Sequence, residues 1–200
     1  QSLLVEMQAC RSIEFMQCIE PIIKAYFGNK PCYNANNLYQ LYTKVEPSLI
    51  RVDADEVCYP LHVIMRYEIE QQLFNDDITI DDLPAVWNDY MQRFFNLSTE
   101  GNDKDGVMQD VHWPCGAFGY FPAYTLGSLF AAQLFSCLKQ DIPDIYPQIA
   151  KGDLAPLFSW LQEKVHSQGR LRSWNDTVIH ATGAPLSVAP YLAHIEARYL

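Results

Sequence analysis

The apolar residues of the chain recur mainly at the spacing of α-helices. From residue 2 to residue 27 they lie close to a period of 3.6, and Gly28 followed by Pro31 ends the segment. Other segments of helical spacing are bounded by proline, glycine or paired acidic residues. They lie at 36–45, about 61–73, 81–95, 122–138, 142–150, 153–166 and 186–200. The pattern predicts a mainly α-helical protein.

One segment alternates apolar and polar residues instead of following the helical period. Residues 48–53 have this alternation, which predicts a small β element. The chain shows no internal repeat and no break in composition that would mark a second domain. We therefore expect a single helical domain over residues 1–200, with the β element near residues 48–53.

Composition and charge argue against several classes of partner. Hydrophobic residues make up 49% of the chain, which is ample for a core, and the formal net charge of −10 disfavours nucleic acid and anionic membrane surfaces. No run of about 18 apolar residues and no cationic leader is visible. The six cysteines include no C-x-x-C pair, so we expect reduced thiols and a cytoplasmic location.

Residues 106–124 form a glycine-broken segment that is rich in polar and aromatic side chains. A loop with only a structural role would more cheaply use Ser, Asn, Lys and Gly. His112 is the one histidine of the chain that has both an acid and a large aromatic residue close beside it, Asp110 and Trp113. This composition is typical of a polar site held in an apolar wall.

His112 and its polar neighbours allow two interpretations. A histidine beside a tryptophan can be a hydrogen-bonded core residue. It can also donate to an oxyanion or bind a substrate. Gln109 and Asp110 would then orient His112 or a ligand. The residues alone leave both interpretations open.

Tyr120 and Tyr124 follow in the same segment and are equally ambiguous. They can be aromatic core residues with solvated hydroxyl groups, or neutral donors to a developing oxyanion. Gly116 and Gly119 would let the backbone near Tyr120 approach a ligand closely, which favours Tyr120 over Tyr124 as the donor.

The histidines of the chain do not form a metal-binding pattern. There are five, and no two of them are four residues apart, so no helix face presents a histidine pair. The sequence therefore predicts no complete metal site in these residues.

Three segments resemble one family of zinc peptidases. Residues 106–113 match the motif G-x-x-Q-D-x-H-W, and residues 50–55 match I/V-R-x-x-A-D. Residues 1–8 look like the segment that directly follows an H-E-S motif. Over nearly its whole length the chain resembles the thermostable carboxypeptidase family, also called the carboxypeptidase Taq family. The family's H-E-x-x-H motif, whose histidines bind zinc together with the glutamate of H-E-S, is absent from these residues.

The resemblance implies that residues 1–200 are the C-terminal part of a metallocarboxypeptidase catalytic domain. It implies half of a larger helical fold with a central groove, a homodimer, and release of single residues from peptide C-termini. Zinc or cobalt would be held in the full-length protein, while this chain alone should bind no metal and hydrolyse no peptide. The alternative is a non-catalytic helical interaction protein that has lost the metal site.

The resemblance also implies how a peptide would be held. Arg51 would bind the terminal carboxylate with two parallel hydrogen bonds, although it could instead simply pair with Asp53 or Asp55. Gln109 and Asp110 would support the bound substrate. We expect Arg51 to lie outside the buried core.

The catalytic roles that the resemblance implies fall on the glycine-broken segment. His112, with Tyr120 or Tyr124, would stabilise the oxyanion that forms when the last peptide bond is attacked. Because substrate binding and oxyanion stabilisation occur at one site, we expect Arg51 and His112 to lie close together in space.

Overall fold

Helices account for all the regular structure of the chain. The computed structural model describes residues 1–200, and none of them forms a strand. Nine α-helices follow one another. They are α1 (Ile13–Phe27), α2 (Ala35–Tyr42), α3 (Tyr59–Phe74), α4 (Leu83–Phe95), α5 (Pro122–Asp141), α6 (Ile145–Ala150), α7 (Ala155–Lys164), α8 (Trp174–Thr182) and α9 (Ala189–Tyr199). The predicted mainly helical fold is confirmed. No helix combines the length and the apolar character needed to cross a bilayer.

The predicted β element at residues 48–53 is wrong. The chain there forms a single 3-10 turn, Arg51–Asp53. A strand needs partners for its backbone N–H and C=O groups, and here one side chain supplies them. The Gln109 side chain accepts a hydrogen bond from the Arg51 N–H at 2.9 Å and donates one to the Leu49 carbonyl at 3.0 Å. Two backbone groups of this segment are therefore bound by a side chain instead of by a neighbouring strand.

Two helical segments differ from those that the sequence predicts. The predicted helix over residues 2–27 is divided into a π-helix, Leu4–Ala9, and α1, because the Ser12 hydroxyl accepts a backbone N–H and caps a new helix start. α1 then continues through Pro21. The sequence pattern does not predict α8, a short helix that begins after its cap residue, Ser173.

The chain divides into two compact units, each with its own core. The first unit comprises Gln1–Thr43 and Gly127–Leu200. Its main core packs the π-helix and α5 against α6 and α7, with fully buried residues such as Leu134 and Ile149. A smaller cluster around Met16 joins α1 to α2.

The second unit, Lys44–Leu126, contains all the site residues that the sequence predicts. Its core lies between α3 and α4. The buried members are Cys58, Met65, Ile69, Trp87, Tyr90, Met91 and Phe95. α3 also buries three polar residues, His62, Arg66 and Glu70. Because residues four apart lie on one face of a helix, α3 presents a polar stripe inside the unit.

Candidate functional site

Two arginines and one aspartate form a buried ion-pair cluster in the second unit. Oδ1 of Asp110 accepts hydrogen bonds from Arg51 Nε at 3.1 Å and from Arg51 Nη2 at 2.7 Å. Oδ2 of Asp110 accepts one from Arg66 Nε at 2.7 Å. The side chains of Arg51, Asp110 and Arg66 are 6%, 11% and 0% exposed. The shortest contacts of the two guanidinium groups thus go to different oxygens of one carboxylate, and Arg51 Nε also lies 3.4 Å from Oδ2.

Burial and charge oppose each other in this cluster. Burial raises the pKa of Asp110, but the hydrogen bond from Arg51 and the charges of both arginines outweigh it and hold that pKa below its ordinary value. Burial lowers the pKa of Arg66 to about 10, against the attraction of Asp110. All three groups are therefore charged at neutral pH. With two positive charges and one negative charge, the cluster has a formal charge of +1.

Aromatic rings surround the two guanidinium groups. The Phe121 ring centroid lies 5.6 Å from Arg51 Cζ and 5.5 Å from Arg66 Cζ, and the Trp87 ring lies 4.5 Å from Arg66 Cζ. The Tyr59 hydroxyl accepts a hydrogen bond from Arg51 Nη1 at 2.7 Å. Such contacts favour a cation in an apolar setting. The charged groups of the cluster are therefore held among aromatic rings.

Gln109 connects the two motif segments. Besides its bonds to the backbone of residues 49 and 51, its Nε2 donates to the Asp105 carbonyl at 2.8 Å and to the Gly106 carbonyl at 3.2 Å. Both ends of the side-chain amide therefore contact backbone groups. The contacts of Gln109 fix the position of Arg51 relative to Asp110.

His112 lies between the ion-pair cluster and a tyrosine. Its Nε2 is 3.0 Å from the Tyr124 hydroxyl, and its Nδ1 is 3.8 Å from Asp110 Oδ1. The imidazole packs against Phe121, with ring centroids 4.3 Å apart. Arg51 and His112 therefore border the same carboxylate, so the structure brings them together as expected from the sequence.

The two tyrosines occupy different environments. Tyr124 is at the start of α5, and burial raises the pKa of its hydroxyl, which stays protonated at neutral pH. Tyr120 is 51% exposed, and its ring meets the Tyr124 ring edge-on at 5.4 Å. The hydroxyl next to His112 is that of Tyr124.

Glu70 anchors the glycine-broken segment to α3. Its Oε1 accepts a hydrogen bond from Trp113 Nε1 at 2.7 Å, and its Oε2 accepts one from the Gly119 N–H at 2.8 Å. Gly119 adopts a positive φ of 69°, a conformation that other residues rarely take. The carboxylate thus holds both sides of the loop that carries His112.

Arg51 differs from expectation in two respects. It is buried, not outside the core, and its partner is Asp110 rather than Asp53 or Asp55. Asp55 instead accepts the backbone N–H groups of the two residues at 57 and 58, just before α3. The alternative that Arg51 pairs with a neighbour in sequence is therefore wrong.

Sequence reasoning missed three residues of the site, namely Tyr59, Arg66 and Glu70. Arg66 and Glu70 lie in a helix whose polar positions are expected to face solvent. A signal was nevertheless present, because His62, Arg66 and Glu70 recur every four residues in a helix that is otherwise largely apolar. A polar stripe of this kind indicates buried partners from elsewhere in the chain.

The metal of the resembled family does not fit the residues of this chain. A catalytic zinc site needs about three protein ligands of the His, Cys, Asp or Glu type. No three such side chains lie together in the structure. The nearest acids and histidines of the site, Asp110 and His112, are engaged with arginine and tyrosine groups. The acids and histidines of this chain therefore do not form a catalytic zinc site by themselves.

Comparison with known proteins agrees with the motifs and with the fold. Carboxypeptidase 1 of Bacillus subtilis is 41% identical over 154 residues, 77% of this chain and 30% of that protein. Thermostable carboxypeptidase 1 of Thermus thermophilus is 37% identical over 189 residues, 94% of this chain and 37% of that protein. The structure of Trypanosoma cruzi metallocarboxypeptidase 1 matches with a TM-score of 0.96 and 43% identity, covering 100% of this chain and 42% of that one.

The family model that matches the chain defines the class as metallopeptidases. Residues 1–199 match the carboxypeptidase Taq (M32) metallopeptidase family, and the chain belongs to that family. The chain spans between 30% and 42% of the length of the relatives described above.

Proposed function

We propose that residues 1–200 are the C-terminal part of a metallocarboxypeptidase catalytic domain. The full-length protein would release single residues from peptide C-termini. Family membership and relatives that are themselves carboxypeptidases support this proposal. The observation that carries it is the meeting of two family motifs at Asp110, where Arg51 from one motif and His112 from the other border one carboxylate.

Arg51 is the proposed binding group for the terminal carboxylate of the peptide. Its Nε and Nη2 already bind Asp110, and Nη1 donates to Tyr59. A guanidinium has five N–H groups, so Nη1 and Nη2 each keep one more. The proposed contact requires Tyr59 to take the Nη1 hydrogen on the Cδ side, which leaves the two outer N–H groups of Nη1 and Nη2 parallel along one edge, the arrangement that a carboxylate accepts in a bidentate contact. Asp110 and Gln109 hold that edge in position.

His112 and Tyr124 are the proposed groups for the reacting carbonyl. The proposal requires His112 Nε2–H to donate to the Tyr124 oxygen, because the phenol then keeps its single O–H as a neutral donor to a developing oxyanion. The 3.0 Å contact between His112 Nε2 and the Tyr124 hydroxyl favours Tyr124 over Tyr120 for this role. Tyr120, which is half exposed, is proposed to contact the peptide beside the reacting bond.

The remaining proposals concern groups outside this sequence. We propose that zinc or cobalt is held by residues elsewhere in the full-length protein and supplies an activated water there. Peptide is the proposed partner, and the homodimer stays a prediction that a measurement of molecular mass in solution would test.

The carboxylate role is tested by Arg51→Met in the metal-loaded full-length protein. Losing a charge-assisted bidentate contact should lower kcat/KM for a free-acid peptide by roughly 30-fold to several thousand-fold, or about 2–5 kcal/mol. The same peptide with an amidated C-terminus should lose far less. The measurement is the ratio of free-acid to amide turnover in both proteins.

Arg93→Met is the matched control for this substitution. Arg93 is in the same unit, is 57% exposed, forms a long ion pair of 3.7 Å with Asp89 and packs over the rings of Tyr90 and Phe94. The Arg93→Met variant should have the same ratio of free-acid to amide turnover as the wild type. Because Arg51 is buried, its variant should be assayed well below its unfolding temperature. A ratio that Arg51→Met does not change would remove Arg51 from the substrate site.

A further inference from the structure

The partner of Arg51 creates an electrostatic difficulty for the proposed function. Arg51 and Asp110 by themselves are a neutral pair. A peptide carboxylate that approaches the free edge of Arg51 also approaches the negative charge of Asp110, and like charges at such distances repel strongly where water is excluded. A neutral pair would therefore distinguish poorly between a free carboxylate and an uncharged amide.

Arg66 alters that balance from the core side. Its Nε binds the Asp110 oxygen that Arg51 does not use for its shorter contacts. Nη1 donates to the His62 carbonyl one helical turn earlier, at 2.8 Å, and the Trp87 ring packs against the guanidinium. The side chain is therefore fixed in one position. Arg66 is fully buried and belongs to neither motif, so it is not one of the groups proposed to touch the substrate.

The position of Arg66 is costly if it serves stability alone. Burying a second arginine beside one aspartate leaves the three-residue cluster with a net positive charge, which is unfavourable in a protein interior. In addition, Arg66 Nη2 is buried and finds no hydrogen-bond partner among the protein groups. A single arginine paired with Asp110, or an apolar residue in place of Arg66, would stabilise the fold without a buried net charge.

We propose that Arg66 is a positioning residue that shares Asp110 with Arg51 and so keeps a formal charge of +1 on the cluster, which preserves the attraction of Arg51 for a free carboxylate. The inference rests on the proposed function and adds the origin of selectivity for a charged C-terminus. Arg66 acts through Asp110 and touches no substrate.

The inference predicts that charge, not the arginine itself, determines selectivity. Arg66→Met keeps much of the side-chain volume and leaves the cluster neutral. Arg66→Met combined with Asp110→Asn restores a formal charge of +1, carried by Arg51 alone. A purely structural role predicts the reverse order, because the double variant loses more native contacts than the single one.

The test uses the full-length protein and a pair of simple probes, 3-phenylpropionate and its uncharged amide. Calorimetry gives the dissociation constant for each, so that no turnover is required. We expect Arg66→Met to lower the preference for the carboxylate on the order of 10- to 100-fold, the effect of one unit charge across a few ångström of partly screened interior. The double variant should recover most of the preference, and Arg93→Met should leave it unchanged.

The outcomes separate this inference from the proposed function. If the wild type shows no preference for the carboxylate, the proposed carboxylate site is wrong. If the wild type shows the preference and Arg66→Met keeps it, or the double variant is as unselective as the single one, only the role of Arg66 is overturned. Should Arg66→Met not fold, Arg66→Gln replaces it as the neutral variant, and Arg66→Lys, which keeps the charge, should retain the preference.

Discussion

Asp110 is the residue on which the polar contacts of the site converge. It accepts hydrogen bonds from two arginines and lies 3.8 Å from the imidazole of His112. The sequence placed Asp110 and His112 in one motif, and Arg51 in another, but no pattern in the sequence predicts that Arg66 shares the same carboxylate. Long-range pairing of this kind depends on how helices pack, which a local pattern does not contain.

The proposed role of the tyrosine beside His112 is open to a direct test in the full-length protein. Tyr124→Phe removes the hydroxyl that contacts His112 Nε2 and keeps the ring. If that hydroxyl stabilises the oxyanion, kcat should fall on the order of 100-fold with little change in KM. Tyr120→Phe is the matched control and should change kcat little. A larger effect at Tyr120 than at Tyr124 would reverse the assignment.

His62 should make the stability of the second unit depend on pH. Burial, followed by the charge of Arg66, lowers the pKa of His62 to about 4 from an ordinary value of 6.5. The folded state thus binds its proton less readily than the unfolded chain. The contribution of the neutral His62 to the free energy of unfolding is complete above about pH 6.5. It is lost as the pH falls towards 4, and it does not change further below that pH. The full effect is at most about 3 kcal/mol.

His62→Phe isolates this contribution. The imidazole stacks on Phe95 with ring centroids 4.2 Å apart, so a phenyl ring can take its place without a titratable group. Unfolding by urea at pH 7 and pH 4.5 should show a smaller loss of stability on acidification in the variant than in the wild type. Equal losses in the two proteins would mean that His62 is not the group responsible.

At the scale of elements, α3 supports the site through its polar stripe. The apolar spacing predicted this helix correctly, together with most others, because a period of 3.6 reflects the side of a helix that is buried. The pattern of apolar and polar residues gave the wrong structure, or none, where a side chain forms hydrogen bonds with the backbone. Residues 48–53 alternate like a strand but are held by Gln109, and the nine-residue α8 is set by its cap at Ser173.

Glu70 gives a quantitative test of how α3 positions the loop. Glu70→Gln removes the negative charge and one of the two acceptor oxygens that hold Trp113 and Gly119. Hydrogen bonds to charged groups are each worth about 1.5–3 kcal/mol, so the free energy of unfolding should fall by about 2–3 kcal/mol. Asp89→Asn, at an exposed ion pair, should cost no more than about 0.5 kcal/mol. Similar losses in both variants would contradict the anchoring role.

At the scale of the whole molecule, the two units divide the polar chemistry unequally. The second unit, Lys44–Leu126, contains both family motifs and the complete Arg51–Asp110–Arg66 cluster. Its aromatic wall and its net positive cluster contrast with the formal charge of −10 on the chain. The positive charge of this cluster is therefore local in a chain that is acidic as a whole.

The central claim is that the Nη1–Nη2 edge of Arg51 binds the terminal carboxylate of a peptide. The most direct measurement is a crystal structure of the full-length protein with a product peptide bound. We expect both carboxylate oxygens about 2.7–2.9 Å from Nη1 and Nη2 of Arg51, while Asp110 remains between Arg51 and Arg66. A peptide whose carboxylate is bound by other residues, with that edge of Arg51 not in contact with it, would contradict the claim.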